Sequence, residues 1–521
     1  MIPKINGVVE RAENKYFIFS DAIKINYGDF EKWTTDAYSK RAKINVIDAQ
    51  NGDVVIVRDN NLKDEEYVID IKEEGIKIVA STNKGVIWAF TTLYQIAIED
   101  EAKLSKVQCG YIKDCPRYGH RGLSVDVVRH FFEINELEKI IEEISLVKMN
   151  VLHLQLSNDQ GFRFESKKYP KLNEIADKQY YKQEDLKELV GFAKKRNVTI
   201  IPEINMPGHT LAMLVAYPEL SCTGEKVEMD YSTGIHSKVM CPGKDEVYVF
   251  VEDLLDEICQ VFPSERIHIG GDETPTNEWC KCPHCQKKMK EQGITEERKL
   301  QGYFVNNVIE ILKKKGRKTI CWNDSLIAVD DKFSNINQVQ YWSVQYAESS
   351  QKYMELGKSM IYSDMFQLYL DYPCSMTSLK KCYMFVPEIR KKDYSNYEGL
   401  AGFEACIWTE HIDNSEKLET RIFPRLYAIA ERCWIPNKDL DYDDFADRLD
   451  KYISENKRTI STRTIIQANP TGMEKMNSIK EFMSNIKSGM SDETLKTTME
   501  QTNPSKEFEQ RFMEQFFQGK Y

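Results

Sequence analysis

From residue 118 onward the sequence repeats one pattern. A short run of apolar residues rich in Val, Ile and Leu is followed by a longer stretch with apolar residues at helical spacing. Eight such runs occur, at 122–127, 150–156, 198–205, 266–273, 318–324, 337–342, 358–364 and 402–408. Helical patterns follow most of them, at 134–148, 183–197, 245–262, 296–316 and 417–434, and the fifth and sixth runs are joined by only a short connection. Runs this short and this apolar suit strands buried on both faces. Eight strands with mostly helical connections predict a (β/α)8 barrel of the TIM type over 116–440, not an open sheet.

The flanks read differently. Residues 1–115 alternate apolar and polar positions, and the Lys-Glu-Glu-Gly at 72–75 sits between two such stretches as a hairpin turn. With a helical pattern at 82–100 this predicts a small α+β domain, closed by Cys115-Pro116-Arg117. Residues 441–521 are polar with helical spacing, and their last segment, 503–521, carries four Phe among alternating charges. A helical appendage is expected there, with its aromatic face on the barrel or, as the alternative, on a second subunit in a homodimer.

Charge and hydropathy exclude several partners. Lys and Arg number 71 against 82 Asp and Glu, a net charge of −11, which repels phosphate backbones, so nucleic acid is not the expected partner. No apolar run approaches the ~20 residues that cross a bilayer, so no membrane association is expected. The first residues lack the charged-then-apolar layout of a secretory signal, and the expected compartment is the cytoplasm. Thirteen scattered cysteines do not look like a disulfide framework. Cys280, Cys282, His284 and Cys285 crowd into six residues, where the functional reading is a structural zinc site. Against it, no closing pair follows at the usual spacing and Cys-x-Cys is tighter than the common knuckle. A turn with reduced thiols is the competing reading.

In a barrel of this kind the chemistry lies at the carboxyl ends of the strands. There the sequence places Asp126, Asn158, Asp159, Glu203, His209, Asp272, Glu273, Trp322, Asp324, Trp342, Asp364, Trp408 and Glu410. Acids between tryptophans suggest a sugar, whose ring faces stack on aromatics while its hydroxyls meet charged groups. Glycosidases usually hold two carboxyls on opposite sides of the scissile bond. Asp272 and Glu273 are sequence neighbours, which a strand would point oppositely. Both face one pocket only where the chain leaves the strand, which Gly270-Gly271 and Pro275 allow. Side by side, such a pair suits one acid that protonates and another that steadies a nucleophile carried by the substrate.

Six blocks carry a resemblance to one family. They are His120-Arg121-Gly122-Leu123 with Asp126 and Arg129-His130; Asn150-Val151-Leu152-His153 running to Asp159-Gln160-Gly161; Pro202-Glu203-Ile204 with Pro207-Gly208-His209-Thr210; His268-Ile269-Gly270-Gly271-Asp272-Glu273; Tyr369-Leu370-Asp371-Tyr372; and Gly402-Phe403-Glu404 through Trp408-Thr409-Glu410. In this order they resemble glycoside hydrolase family 20, the β-N-acetylhexosaminidases. The resemblance implies retaining hydrolysis of terminal β-linked GlcNAc or GalNAc from an oligosaccharide or glycoconjugate, with the 2-acetamido carbonyl as nucleophile and an oxazolinium intermediate. It implies Glu273 as general acid and Asp272 as partner of the acetamido N–H. Arg121 and Glu410 would bind ring hydroxyls, Trp322, Trp342 and Trp408 would box the sugar, Tyr369 would donate to the carbonyl, and Asp371 would lie close by. No metal or organic cofactor is called for.

One departure stands out. The family pairs two aspartates after the second strand, the first of which contacts the His of Pro-Gly-His; here that position is Asn158, followed by Asp159. The resemblance therefore implies an uncharged partner for His209, and a pH profile that moves when Asn158 becomes Asp. Other readings stay open: the same chemistry on a narrower glycan, sulfated or released as a disaccharide; a non-catalytic glycan-binding barrel; or a two-carboxylate glycosidase pairing Glu273 with Glu404 or Glu410. Arg121 has a plainer alternative as a structural ion pair, and His153 and His268, inside strands, read as satisfied core histidines.

Overall fold

A computed structural model describes residues 1–100, 103–175, 178–329, 335–455, 460–501 and 504–516. Residues 1–114 fold around an eight-stranded sheet and the helix Asn83–Ile96. The expected hairpin is present, with Lys72 paired to Gly75. Val86, Trp88, Phe90 and Leu93 put the buried face of the helix into this domain's own core. The long last strand, Lys103–Asp114, follows no clear apolar alternation because much of it pairs with two neighbours and is held by backbone bonds.

The barrel follows. Its strands are β1 His120–Asp126, β2 Val151–Gln155, β3 Thr199–Glu203, β4 Arg266–His268, β5 Lys318–Trp322, β6 Gln338–Tyr341, β7 Ser359–Tyr362 and β8 Leu400–Ile407. They close in the order β2-β3-β4-β5-β6-β7-β8-β1, every pair parallel. All seven residues of β1 and all five of β2 are buried, as strands covered by helices on one side and filled on the other must be. The expected helix over 417–434 is two, Ser415–Ile422 and Arg425–Trp434. Pro424 cannot donate to the preceding turn and starts the second helix instead.

The small domain and the barrel meet across buried charge. Arg121, at the start of β1, donates Nη1 and Nη2 to Glu65 of the small domain at 2.9 and 2.7 Å. Lys148 Nζ reaches Asp114 at 2.9 Å, and Trp434 Nε1 donates to the same carboxylate at 2.8 Å.

The C-terminal helices Gly472–Gly489, Asp492–Gln501 and Lys506–Phe516 lie on the carboxyl-end rim of the barrel. Phe508 packs at a tilt on Phe366 (5.4 Å between ring centres), Arg511 pairs with buried Asp364 at 2.8 Å, and Phe482 meets Tyr372 edge-on at 5.4 Å. These contacts are with the chain's own barrel. The Phe516 side chain and Phe517 lie outside the described residues. Among the described residues no helix is long and apolar enough to cross a membrane.

Candidate active site

Residues two apart on a strand face the same way, so the barrel interior can be followed from floor to mouth. Val151, Ile201, Ile320 and Ile361 form an apolar floor. Two residues further along each strand the lining turns polar. His153 sits between Glu203 (Nε2 to Oε2, 2.9 Å) and Glu404 (Nδ1 to Oε1, 2.8 Å), and Glu404 also meets His120 at 2.7 Å. Burial opposes the charge on His153, yet the two carboxylates outweigh it and lift its pKa to about 9. His268, facing one carboxylate and the cationic His153, is pushed by burial to about 3. His153 is thus charged and flanked by two carboxylates, whereas neutral His268 departs from the expectation of a satisfied histidine: its Nδ1 accepts the Gly270 amide at 3.0 Å, and its buried Nε2 has no partner among the described residues. Glu404 is locked in this layer with Gln340 Nε2 at 2.7 Å and is closed to solvent, so it cannot face Glu273 across a substrate.

Above this layer β4 ends at His268 and the chain turns. Gly270 and Gly271 have φ of +67° and +84°, and Glu273 itself is left-handed at +44°. The two glycines also admit neighbours that a side chain would strike: a Cβ on Gly270 would lie 1.9 Å from Asn205 Oδ1, and one on Gly271 2.3 Å from Ser325 Oγ. This turn brings Asp272 and Glu273 to one side. Asn205 Nδ2 donates to Asp272 at 2.7 Å, and the Glu273 amide donates to Asp324 Oδ2 at 2.7 Å. Burial, with Glu203 and Glu273 nearby, raises the Asp272 pKa to about 6 despite His209.

His209 Nε2 lies 3.6 Å from Asp272 and 3.4 Å from Glu273, and its Nδ1 lies 2.8 Å from Asp159. Burial disfavours the imidazolium, but Asp159 and Asp272 outweigh it and hold the pKa well above the usual histidine value. This corrects the expectation for Asn158. Its Oδ1 instead accepts the Asp159 amide at 2.8 Å, so it shapes the turn between two short antiparallel strands. A one-residue shift in that turn gives His209 a charged partner after all.

Aromatic rings wall the cavity. Trp322 and Trp408 lie 5.9 Å apart between centres, Tyr369 meets Trp408 at 5.9 Å, and Trp342 runs nearly parallel to Tyr369 at 6.5 Å. Trp322 donates to Glu203 at 3.2 Å and Trp342 to Asp324 at 3.3 Å, which fixes both indoles. The adjoining cavity of about 560 Å3 is lined by Glu273, Tyr369, Asp371, Trp408 and Glu410, with Thr233-Gly234-Ile235 and residues of the helix Gly472–Gly489. Burial and nearby Glu410 push Asp371 up to about 8.

Arg121 is not in this site. It lies at the amino end of β1, fully buried beneath the small domain, so its expected contact with ring hydroxyls is corrected to an inter-domain ion pair. Arg129, three residues beyond Asp126, lies instead towards the mouth. It contacts Asp126 at 3.3 Å and Glu410 at 3.6 Å and lies over Trp408. Both arginines belong to one block of sequence. Position along the strand separates them, because the residues of β1 rise ~3.3 Å each towards the mouth. Asp364, also expected at the rim, caps the turn Met365–Leu368 and is taken by Arg511.

Comparison with known proteins gives a consistent match. The model for the glycosyl hydrolase family 20 catalytic domain matches residues 118–437, and that for domain 2 of the same family matches 1–115. A beta-hexosaminidase of Porphyromonas gingivalis is 32% identical over 415 residues, covering 75% of this chain but only 53% of that protein. One from Akkermansia muciniphila is 30% identical over 413 residues, covering 74% and 83%. The crystal structure of a beta-N-acetylhexosaminidase from Bacteroides fragilis superposes with a TM-score of 0.82 at 27% identity, covering 91% of this chain and 99% of that one. An exo beta-N-acetylglucosaminidase from Vibrio harveyi, in complex with N-acetylglucosamine, gives 0.79 at 26% identity over 89% and 78%.

Proposed function

Since the chain belongs to glycosyl hydrolase family 20, we propose that it is an exo-acting, retaining β-N-acetylhexosaminidase that takes terminal β-linked GlcNAc or GalNAc. One observation carries this reading: two adjoining carboxyls lie beside one charged histidine, and Glu273 of the pair lines a cavity walled by Tyr369 and Trp408. That arrangement lacks the opposed placement a protein nucleophile needs and suits a nucleophile brought by the sugar. Glu273 delivers a proton to the glycosidic oxygen as the bond to the anomeric carbon breaks, and the 2-acetamido oxygen forms a new bond on the other face. Asp272, as the anion, accepts the acetamido N–H and balances the positive oxazolinium ring. Water then attacks the same carbon and gives its proton to Glu273, so the configuration is retained.

Supporting roles follow from position. Trp322, Trp342 and Trp408 hold the acetamido group and the sugar face, Tyr369 donates to the carbonyl oxygen, and Arg129 with Glu410 meets the ring hydroxyls. Asp371, kept largely protonated at neutral pH, adds a donor to that wall. The helix Gly472–Gly489 and the 233–235 loop close the far side, which favours a chain end over a mid-chain sugar. None of the thirteen cysteines is in a disulfide, which supports the cytoplasm as the compartment; recovery of the enzyme in the cytoplasmic fraction of its cells is the expected result.

The test is a pair of aryl β-glycosides differing only in the 2-acetamido group, assayed with and without a thiazoline that mimics the cyclic intermediate. Cleavage of the acetamido sugar alone, blocked by the thiazoline, is expected. Equal cleavage of the plain glucoside would show a protein nucleophile and overturn the reading. Binding without turnover would leave a lectin-like barrel.

A further inference from the structure

A second cluster of reactive groups lies outside the pocket. Cys222, Cys241, Cys282 and Cys285 converge, with Sγ–Sγ distances of 3.9 Å (222–285), 3.7 Å (241–282) and 3.5 Å (241–285), and all four sulfurs lie within 4.8 Å of one another. A disulfide would need ~2.05 Å, so none of these pairs is bonded. Four thiolates around one zinc at ~2.3 Å stand ~3.8 Å apart at tetrahedral angles. We propose that these four cysteines bind a single structural Zn2+.

The surroundings support an ion over a chance meeting of thiols. Cys241, Cys282 and Cys285 are buried, and with Val239, Trp279, Met289 and Leu300 they form a small cluster separate from the barrel core. Cys282-Pro283-His284-Cys285 is a Cys-x-x-Cys knuckle at the start of the ten-residue helix Pro283–Gln292, whose dipole favours thiolates. The Gly243 amide donates to Cys241, as the outer partners of metal ligands do. Gly243 is also the only residue type that fits, because a Cβ there would lie 2.3 Å from the His284 carbonyl carbon and 2.4 Å from the Cys285 nitrogen. Two chain segments are thereby pressed together where the sulfurs meet.

The set differs from the crowded cluster seen in the sequence. Cys280 is exposed and hydrogen-bonds to the Thr276 carbonyl, so it stands apart. The closing pair precedes the knuckle, with 41 residues separating Cys241 from Cys282 and 63 separating Cys222 from Cys285, and so lies upstream of the crowded cluster. Soft, all-sulfur ligation excludes calcium and magnesium, and the short sulfur spacing suits one ion. Binding replaces four S–H bonds by four Zn–S bonds and releases up to four protons.

The site ties together the loops that follow β3 and β4. Cys222 and Cys241 stand at the two ends of the loop whose Thr233-Gly234-Ile235 line the substrate cavity. Ser221 pairs with Met240 at its base, and Met240 donates to the Pro207 carbonyl near His209. The knuckle begins at Cys282, nine residues after the catalytic-turn residue Glu273. A zinc here would therefore anchor one wall of the pocket without touching the sugar.

Metal analysis of the full-length protein, purified under reducing conditions and incubated with zinc before desalting, tests this. One zinc per chain is expected, with an X-ray absorption edge fitted by four sulfurs at ~2.3 Å. Cobalt grown into the protein should give the visible bands of a tetrahedral tetrathiolate. The Cys222→Ser/Cys285→Ser variant should hold no tightly bound metal, and its 221–243 loop should be cut by protease faster than in wild type. Wild-type protein with less than about a tenth of an equivalent of zinc, a nitrogen or oxygen ligand shell, a disulfide among the four, or zinc retained by the variant would each overturn the proposal. The wild-type measurements stand even where the variant does not fold.

Discussion

At the residue scale the site depends on which groups hold a proton. In the proposed mechanism Asp272 acts as an anion; burial raises its pKa to about 6, and His209 is the cation that keeps it from rising further. The rate should therefore fall as pH drops through about 6, when Asp272 takes up a proton. His209→Gln removes that cation, raises the Asp272 pKa again and should move the acid limb of kcat/KM to higher pH. Asp159→Asn, acting through His209, should move it the same way by less. A limb that stays in place in both variants would sever the histidine from the acid pair. The arginines give a second contrast: Arg129→Ala should lower kcat/KM by roughly 10–100-fold, the worth of a charged hydrogen bond of ~1.5–3 kcal/mol.

At the scale of elements, the turn after β4 positions the proposed acid pair. Glycine is demanded there twice over, by positive φ and by atoms that leave no room for a side chain. Gly270→Ala would drive Asn205 away from Asp272. A displacement near 1 Å at reacting groups costs ~100-fold, and kcat/KM of a protein with near-native circular dichroism should fall by that order. The sequence made this turn legible, because Gly-Gly before two acids permits little else. It did not reveal the partner of His209. Asn158 and Asp159 sit in a two-residue hairpin, where moving the register by one position exchanges which side chain points inward.

For the whole molecule, the small domain is held to the barrel by charge buried in the interface. Arg121 is closed to water and its carboxylate partner Glu65 nearly so. Arg121→Met leaves Glu65 without its cation, and a broken buried pair costs ~3–5 kcal/mol. Burial works to raise the Glu65 pKa, but Arg121 outweighs it and the net shift is downward. The pair's contribution is therefore full above the unfolded carboxylate value of ~4.3 and is lost as pH falls through the lower folded value. Thermal denaturation should show a large drop in Tm for Arg121→Met at neutral pH, a gap that narrows as pH falls below the unfolded carboxylate value. Activity at temperatures below unfolding should stay close to wild type. Loss of activity with unchanged Tm would return Arg121 to the pocket.

Sequence periodicity was enough to establish eight barrel strands and their buried faces, because each is a local property of neighbouring residues. Distance along the chain carries no such information about which groups meet across it. Whether Arg121 or Arg129 faces the mouth, whether His209 has a charged partner, and whether four distant cysteines share one point were decided by the closing of the barrel and the packing of its loops.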